Sequence, residues 1–290
     1  MQENGFDRAS ALLPRELRAS AESLSERQKT GAEELRLRVG RPAAVRVPEG
    51  ELALNAVPVT QEMLAEVLEK ATEASLHAVT EELCRGFVTA PGGIRVGVCG
   101  TAVRTGGIGG LREISALCIR IPRQIRSAGA EIMKELIRCG SVLILSPPGG
   151  GKTTFLRELV RTVSDAGTRV SLADERGELA GMYRGAPQFD VGRCTDVLTG
   201  APKAEAAMML LRGMAPEVVA MDEISAPEDI AAAQRLLGCG VRLYATAHAC
   251  DPAELKRKNP EFRALLDRDA FQAAVCIRGQ RGRKYEVIRL

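Results

Sequence analysis

Four stretches in the second half of the chain run apolar without alternation: SVLIL at residues 141–145, TRVSLA at 168–173, EVVAM at 217–221 and VRLYAT at 241–246. A strand with one wet face alternates, whereas a run apolar at every position suits a parallel sheet covered on both faces. Between these runs, residues 152–165, 203–213 and 226–238 carry the spacing of amphipathic helices. The alternation predicts a doubly wound α/β sheet. FQAAVCIRG and KYEVIRL, near the C-terminus, predict a closing pair of strands.

The first half has a different rhythm. Residues 10–27 predict one charged, moderately amphipathic helix, followed by short strands LRLRV (35–39) and AAVRV (43–47) and helical patterns over 60–84. From Gly86 onward, GFVTAPGGIRVGVCGTAV mixes β-formers with glycine turns, and ISALCIRIP (114–122) closes the segment as a strand. AGAEIMKELIRCG then predicts a helix with Gly140 at its C-cap. These patterns predict a smaller α+β domain over residues 1–125 and a sheet domain over 126–290. A length of 290 residues suits two domains.

Composition narrows the partners. Charged residues form 27% of the chain but nearly cancel to +3, so no global field calls for nucleic acid or anionic lipid. Eight scattered cysteines without a C-x-x-C pair predict reduced core residues. The N-terminus lacks the apolar core of a secretory signal, and no apolar run approaches the roughly 20 residues that span a bilayer. A cytoplasmic protein is expected, able to dock on a membrane partner.

The chemistry concentrates where apolar runs end. ILSPPGGGKTTFL, residues 144–156, places a glycine-rich loop between a strand and a helix, the context of a phosphate-binding loop. Pro147 and Pro148 have no N–H, so the phosphate donors are expected from Gly149, Gly150 and Gly151 and the first helical amides. Lys152 reaches β and γ phosphates in this reading, Thr153 ligates Mg²⁺, and Thr154 is the next polar contact. Ser146 stands where such loops begin with glycine, a turn position that a small residue fills. The alternative is a glycine-rich turn that binds nothing.

Three further strand ends add polar groups. EVVAMDEI places Asp222 and Glu223 where one carboxylate holds Mg²⁺ and its neighbour polarises water, with helix capping as the alternative. SLADERGELAG brings Asp174, Glu175, Arg176 and Glu178 together, to align water or read a γ-phosphate, or else to form a salt-bridged surface loop. YATAHA ends in Thr246 and His248, an imidazole able to sense the same phosphate. The other histidine, His77, carries no partner signature. Four chemically loaded strand ends on one sheet edge match the rule that ligands bind at the carboxyl ends of parallel strands.

Several blocks, LRLRVGRP, GFVTAPGGIRVGVCG, SPPGGGKTTFLREL, LADERGELAG, DVGRCTDVLTGAPKAEAAMMLLRGMAPEVVAMDEI and ATAHA, resemble those of the stage III sporulation protein AA family. More widely the chain is similar to secretion-type ATPases of type II and type IV secretion and pilus assembly. The resemblance implies a P-loop, recombinase-like ATPase core behind an α+β domain, hexameric, using ATP and Mg²⁺. It further implies a mother-cell location and work with membrane-bound channel proteins of its operon. Carried across, Gly151, Lys152 and Thr153 match the phosphate loop. Asp174, Glu175 and Glu178 lie in the acidic box, with Asp174 a metal candidate beside Thr153 and Asp222. Glu223 matches the catalytic-type glutamate and His248 the histidine box. Asp222 departs from the glycine many secretion ATPases carry there, which leaves the division of labour between Asp222 and Glu223 open. For an arginine acting on a neighbour's nucleotide, Arg95, Arg120, Arg176, Arg193 and Arg212 are all candidates.

Two other functions compete with a motor that drives export or assembly. One is a nucleic-acid-stimulated ATPase, suggested by the basic tail RGQRGRK (278–284). Aromatics at 3% with no tryptophan leave few stacking platforms, so nucleic acid is not expected as partner. The other is a nucleotide-gated scaffold without turnover.

Overall fold

The computed structural model describes residues 5–73, 83–104, 108–122, 125–268, 270–279 and 282–290. His77, part of the 60–84 helical pattern and part of the basic tail lie outside the described residues. The chain divides into two compact units, Met1–Arg123 and Gln124–Leu290.

In the first unit, α1 (Gly5–Ala11), α2 (Arg15–Glu22) and α3 (Glu26–Gly31) precede β1 (Glu34–Arg38), β2 (Pro42–Val47) and β3 (Gly50–Pro58). Then come α4 (Gln61–Ala71), β4 (Phe87–Ala90), β5 (Ile94–Arg104) and β6 (Ile108–Arg120). The expected single helix over 10–27 is instead three short ones. Pro14 is the N-cap of α2 and cannot continue α1, and Ser25 opens α3 through a capping box with Gln28. The six strands form an antiparallel sheet in the order β3-β2-β1-β6-β5-β4. Leu35 and Leu37 on β1 point to one face, where Phe6, Leu13, Leu17, Leu64 and Val67 cover them. β3 was not expected, because its partly exposed edge carries a weak apolar signal.

The second unit carries α5 (Ala130–Leu136), β7 (Val142–Leu145), α6 (Lys152–Asp165), β8 (Val170–Asp174), β9 (Thr195–Thr199) and α7 (Lys203–Met214). After these come β10 (Val218–Met221), α8 (Pro227–Gly238), β11 (Arg242–Ala247), α9 (Pro252–Lys258), α10 (Pro260–Leu266), β12 (Ala273–Arg278) and β13 (Lys284–Arg289). The sheet runs β13-β12-β7-β11-β10-β8-β9. It is parallel from β12 to β9, with β13 antiparallel to β12 at the edge.

Successive strand residues feed opposite faces, which explains the unbroken apolar runs. Leu143, Leu145, Val219, Met221, Leu243 and Ala245 pack with Ala206 and Leu210 of α7, Ile230 and Leu236 of α8 and Phe262 of α10. Val142, Ile144, Val218, Ala220 and Tyr244 pack with Phe155, Leu156 and Leu159 of α6 on the other side.

Three further expectations change. Gly140 is not a C-cap: α5 ends at Leu136 with Ile137 in that role, and Gly140 is small because a Cβ there would overlap the Gln272 side chain. The helices α9 and α10 were missed, although Asp251-Pro252 and Asn259-Pro260 place a side-chain cap before proline at the first helical position. The cysteines are free as expected, but only Cys276 is buried, while Cys99, Cys239 and Cys250 are exposed.

Candidate nucleotide-binding site

The β-strand Val142–Leu145 delivers the chain into the loop, and Lys152 begins α6 directly after it. Ser146 is fully buried and its Oγ donates to the Pro147 carbonyl at 2.9 Å. It lies outside the left-handed region, so serine fits without strain. Each glycine of the loop has its own reason. Gly149 and Gly151 have φ of 73° and 93°, where a Cβ is disfavoured, and a Cβ on Gly150 would overlap Ser146 Oγ. Ser146 therefore fills the turn, and Gly150 leaves it the room.

Lys152 is 7% exposed. Its Nζ donates to the Ser146 carbonyl at 3.1 Å and lies 2.9 Å from His248 Nδ1. An ammonium only donates, so Nδ1 accepts and the ring proton sits on Nε2, which faces Glu223 Oε1 at 3.4 Å. Burial lowers the Lys152 pKa, against the opposing pull of Asp222 and Glu223.

Strand order builds the second half of the site. β11 lies between β7 and β10, so the loop and the Asp222-Glu223 turn are joined across an intervening strand. Thr153 Oγ1 donates to Asp222 Oδ2 at 2.8 Å, and Thr246 Oγ1, at the end of β11, donates to Asp222 Oδ1 at 2.6 Å. The same Thr246 hydroxyl accepts the Glu223 N–H at 2.8 Å. Neither carboxylate caps a helix, because Asp229 takes the Ser225 and Ala226 amides at the start of α8. Glu223 itself sits at φ 49°, a left-handed conformation rare for a side-chain-bearing residue and found where a site fixes a group's direction. Thr246→Val keeps the shape but leaves a half-buried amide and a carboxylate oxygen without this partner. We expect it to lose about 1–3 kcal/mol of stability, read from urea unfolding.

The acidic box closes the site from β8. Asp174 is 3% exposed, and its oxygens accept the Leu179 N–H at 3.1 Å and the Ala180 N–H at 2.8 Å. Burial raises its pKa despite these amides. Its carboxylate thus ties down the loop that carries Glu175, Arg176 and Glu178. Arg157 of α6 holds the same loop, donating to the Leu179 and Glu178 carbonyls, each at 2.6 Å, with its guanidinium over the Phe189 ring. Lys203 joins three parts: its Nζ lies 3.3 Å from Glu175, 3.4 Å from Asp229 and 3.2 Å from the Glu223 carbonyl. Neither Arg157 nor Lys203 stood out in the sequence, since each reads as an ordinary helical cation.

Thr153, Asp174, Glu175, Glu178, Asp222 and Glu223 all line one cleft of about 50 Å³. It has room for a few water-sized groups. Among the described residues no three or more His, Cys, Asp or Glu side chains form a metal cage. Mg²⁺ needs none, because it is bound through one or two protein oxygens with water and substrate phosphates. The Thr153 hydroxyl and Asp222 carboxylate fit that requirement.

Of the five candidate trans arginines, Arg176 lies at the site, its Nη1 3.6 Å from Glu223 Oε2. Arg95 lies over the Phe87 ring in the first unit. Arg278 of the basic tail pairs with Glu286 at 3.0 Å.

A glycine loop at a helix N-terminus, a buried lysine, and a threonine-aspartate pair across non-adjacent strands stand on an α/β fold of the P-loop type, the fold of the secretion ATPases. Solved structures share it. The pilus retraction motor PilT with bound ADP matches at TM-score 0.64 and 17% identity, over 90% of this chain and 80% of that one. The ATPase DotB of Yersinia pseudotuberculosis matches at 0.62 and 15%, over 95% and 79%.

The family is narrower still. The model for sporulation stage III, protein AA matches residues 8–287, and this chain belongs to that family. Stage III sporulation protein AA of Bacillus subtilis is 35% identical over 268 residues, covering 90% of this chain and 87% of that protein. SEEDLING PLASTID DEVELOPMENT 1 of Arabidopsis thaliana is 28% identical over 233 residues, and the match spans only 31% of that protein. Among the described residues no helix is long and apolar enough to cross a membrane.

Proposed function

We propose that the chain is an Mg²⁺-dependent ATPase that works as a mechanoenzyme of the sporulating mother cell. The observation that carries this reading is the pairing of Thr153 with Asp222 across β11, with Thr246 holding Glu223 beside it. That arrangement brings a hydroxyl, a carboxylate and a second carboxylate able to take a proton around one cleft.

In this reading the amides from Gly149 onward and the helix N-terminus receive the phosphates of ATP. The Lys152 ammonium, held now by Ser146 and His248, turns its donors to the β and γ oxygens. Thr153 and Asp222 would hold Mg²⁺, which would supply charge neutralisation to the phosphates. Glu223 accepts the proton of a water that attacks the γ-phosphorus, releasing ADP and phosphate. His248 touches both Lys152 and Glu223 and is placed to report which nucleotide is bound. Glu175 and Glu178 shape the water side of the cleft, and Asp174 acts by anchoring their loop.

The family and the fold support coupling of turnover to export or assembly at a channel between mother cell and forespore. Membrane-bound proteins of the same operon are the partners, and the chain acts from the cytoplasmic side. Six copies in a ring would let Arg176, which is 62% exposed at its side chain, face a neighbour's nucleotide. Native mass with and without ATP tests the ring: ATP should shift the protein to a hexamer, and a monomer under both conditions removes that part of the reading.

A further inference from the structure

One cation near the loop has no role in the site described so far. A Cβ built on Gly151 would lie 2.7 Å from Cζ of Arg283 and 2.9 Å from its Nε and Nη1, so this guanidinium packs flat against the last glycine of the loop. Gly151 is the N-cap of α6. The Arg283 side chain is only half-buried, yet its Nε is shielded from solvent and has no hydrogen-bond partner. Among the described residues no carboxylate pairs with it.

A helix N-terminus carries a partial positive charge and favours anions, so an unpaired cation there is disfavoured. The strand register explains how it arrives. β12 runs parallel to β7, with Cys276 opposite Leu145, so the β12–β13 hairpin leaves the sheet beside the phosphate loop. Tyr285 fixes the hairpin by stacking on Phe155 of α6, ring centroids 5.2 Å apart.

Arg283 also borders a second cavity, open and about 470 Å³ in volume, which lies on the hairpin side of the loop. Ile125, Gly129, Glu131, Gly282 and Tyr285 line it with Arg283. Its walls are mostly polar, with Ser127, Glu131 and Arg283 facing Ile125, Ala128 and the Tyr285 ring, a lining with hydrogen-bonding groups for a ribose and one aromatic face for a base, and its volume falls in the range small-molecule sites occupy. The cleft at Asp222 and Glu223, at about 50 Å³, has no comparable room.

We propose that Arg283 is a nucleotide-binding residue supplied in cis by the C-terminal hairpin, and that the cavity beside it takes the nucleoside part of the nucleotide. The guanidinium then marks the junction: phosphates lie on the loop side and base and ribose on the hairpin side. An anion on the loop would pair with the guanidinium, and Arg283 offers it a planar fork of donors. The assignment rests on the ATP-binding reading above.

Calorimetric titration with ADP and with tripolyphosphate separates the two claims. Arg283→Ala should weaken both probes by about 10- to 100-fold, with the melting temperature of the free protein unchanged or raised. Arg283→Lys should fold equally well and recover part of the affinity. Glu131→Trp, which fills the cavity, should weaken ADP by about tenfold or more and leave tripolyphosphate unaffected. If the unaltered chain binds ADP and Arg283→Ala binds it equally well, the assignment of Arg283 falls. A lowered melting temperature in Arg283→Ala with unchanged affinity makes it a structural residue. Equal loss of both probes in Glu131→Trp overturns the nucleoside cavity. An unaltered chain that binds neither probe overturns the ATP reading itself.

Discussion

Glu223→Gln should lower steady-state ATP turnover by about 10²–10⁴-fold, the range for loss of a general base, while ATP affinity stays close to that of the unaltered protein. The substitution keeps the side chain's size and removes its negative charge and its ability to take a proton. The backbone supports survive: the residue 223 amide still donates to Thr246, and its carbonyl still accepts from Lys203. The amide oxygen can keep one of the contacts to His248 Nε2 and Arg176, which lie 3.4 and 3.6 Å from the carboxylate oxygens, while the other donor loses its acceptor. Phosphate release measured beside equilibrium binding checks both halves. Undiminished turnover would move the proton acceptor to another carboxylate of the cleft.

Lys152→Met should reduce ATP affinity by about 100-fold or more, because a charge-assisted contact to phosphate is lost. It should not unfold the protein. Burial lowers the lysine's pKa in the folded chain, so folding disfavours its protonated form. That penalty is present at neutral pH and fades only as pH rises from the lowered value toward 10.5. Methionine has similar length and no charge to desolvate, so the melting temperature of the free variant should equal or exceed that of the unaltered chain. A lower melting temperature would mean that the bonds to Ser146 and His248 outweigh desolvation.

The sheet unit that carries the candidate site was legible because its signals are local. Unbroken apolar runs marked β7, β8, β10 and β11, and the polar groups at their ends converge as the parallel topology requires. What strand order adds is not written in any short stretch. Thr246 appeared in the sequence only as a neighbour of His248, and its part in holding both Asp222 and Glu223 follows from β11 lying between β7 and β10. Asp174 reads in the sequence as a metal candidate, and what the structure adds is that two backbone amides engage its carboxylate, an arrangement made by a loop folding back on itself. Lys203 and Arg157 were invisible for a related reason: each is one cation on an amphipathic helix, and only the packing shows what it holds. Edge elements were the other loss. β3 and β9 are partly exposed and carry little apolar signal, and Pro14 was passed over inside a pattern that otherwise read as one helix.

The central claim is that this loop and these carboxylates hydrolyse ATP. Its most direct test is phosphate release from ATP by the purified chain, with and without Mg²⁺, beside Lys152→Met prepared identically. The structure predicts Mg²⁺-dependent release that the variant lacks. Release no faster than that of Lys152→Met would contradict it.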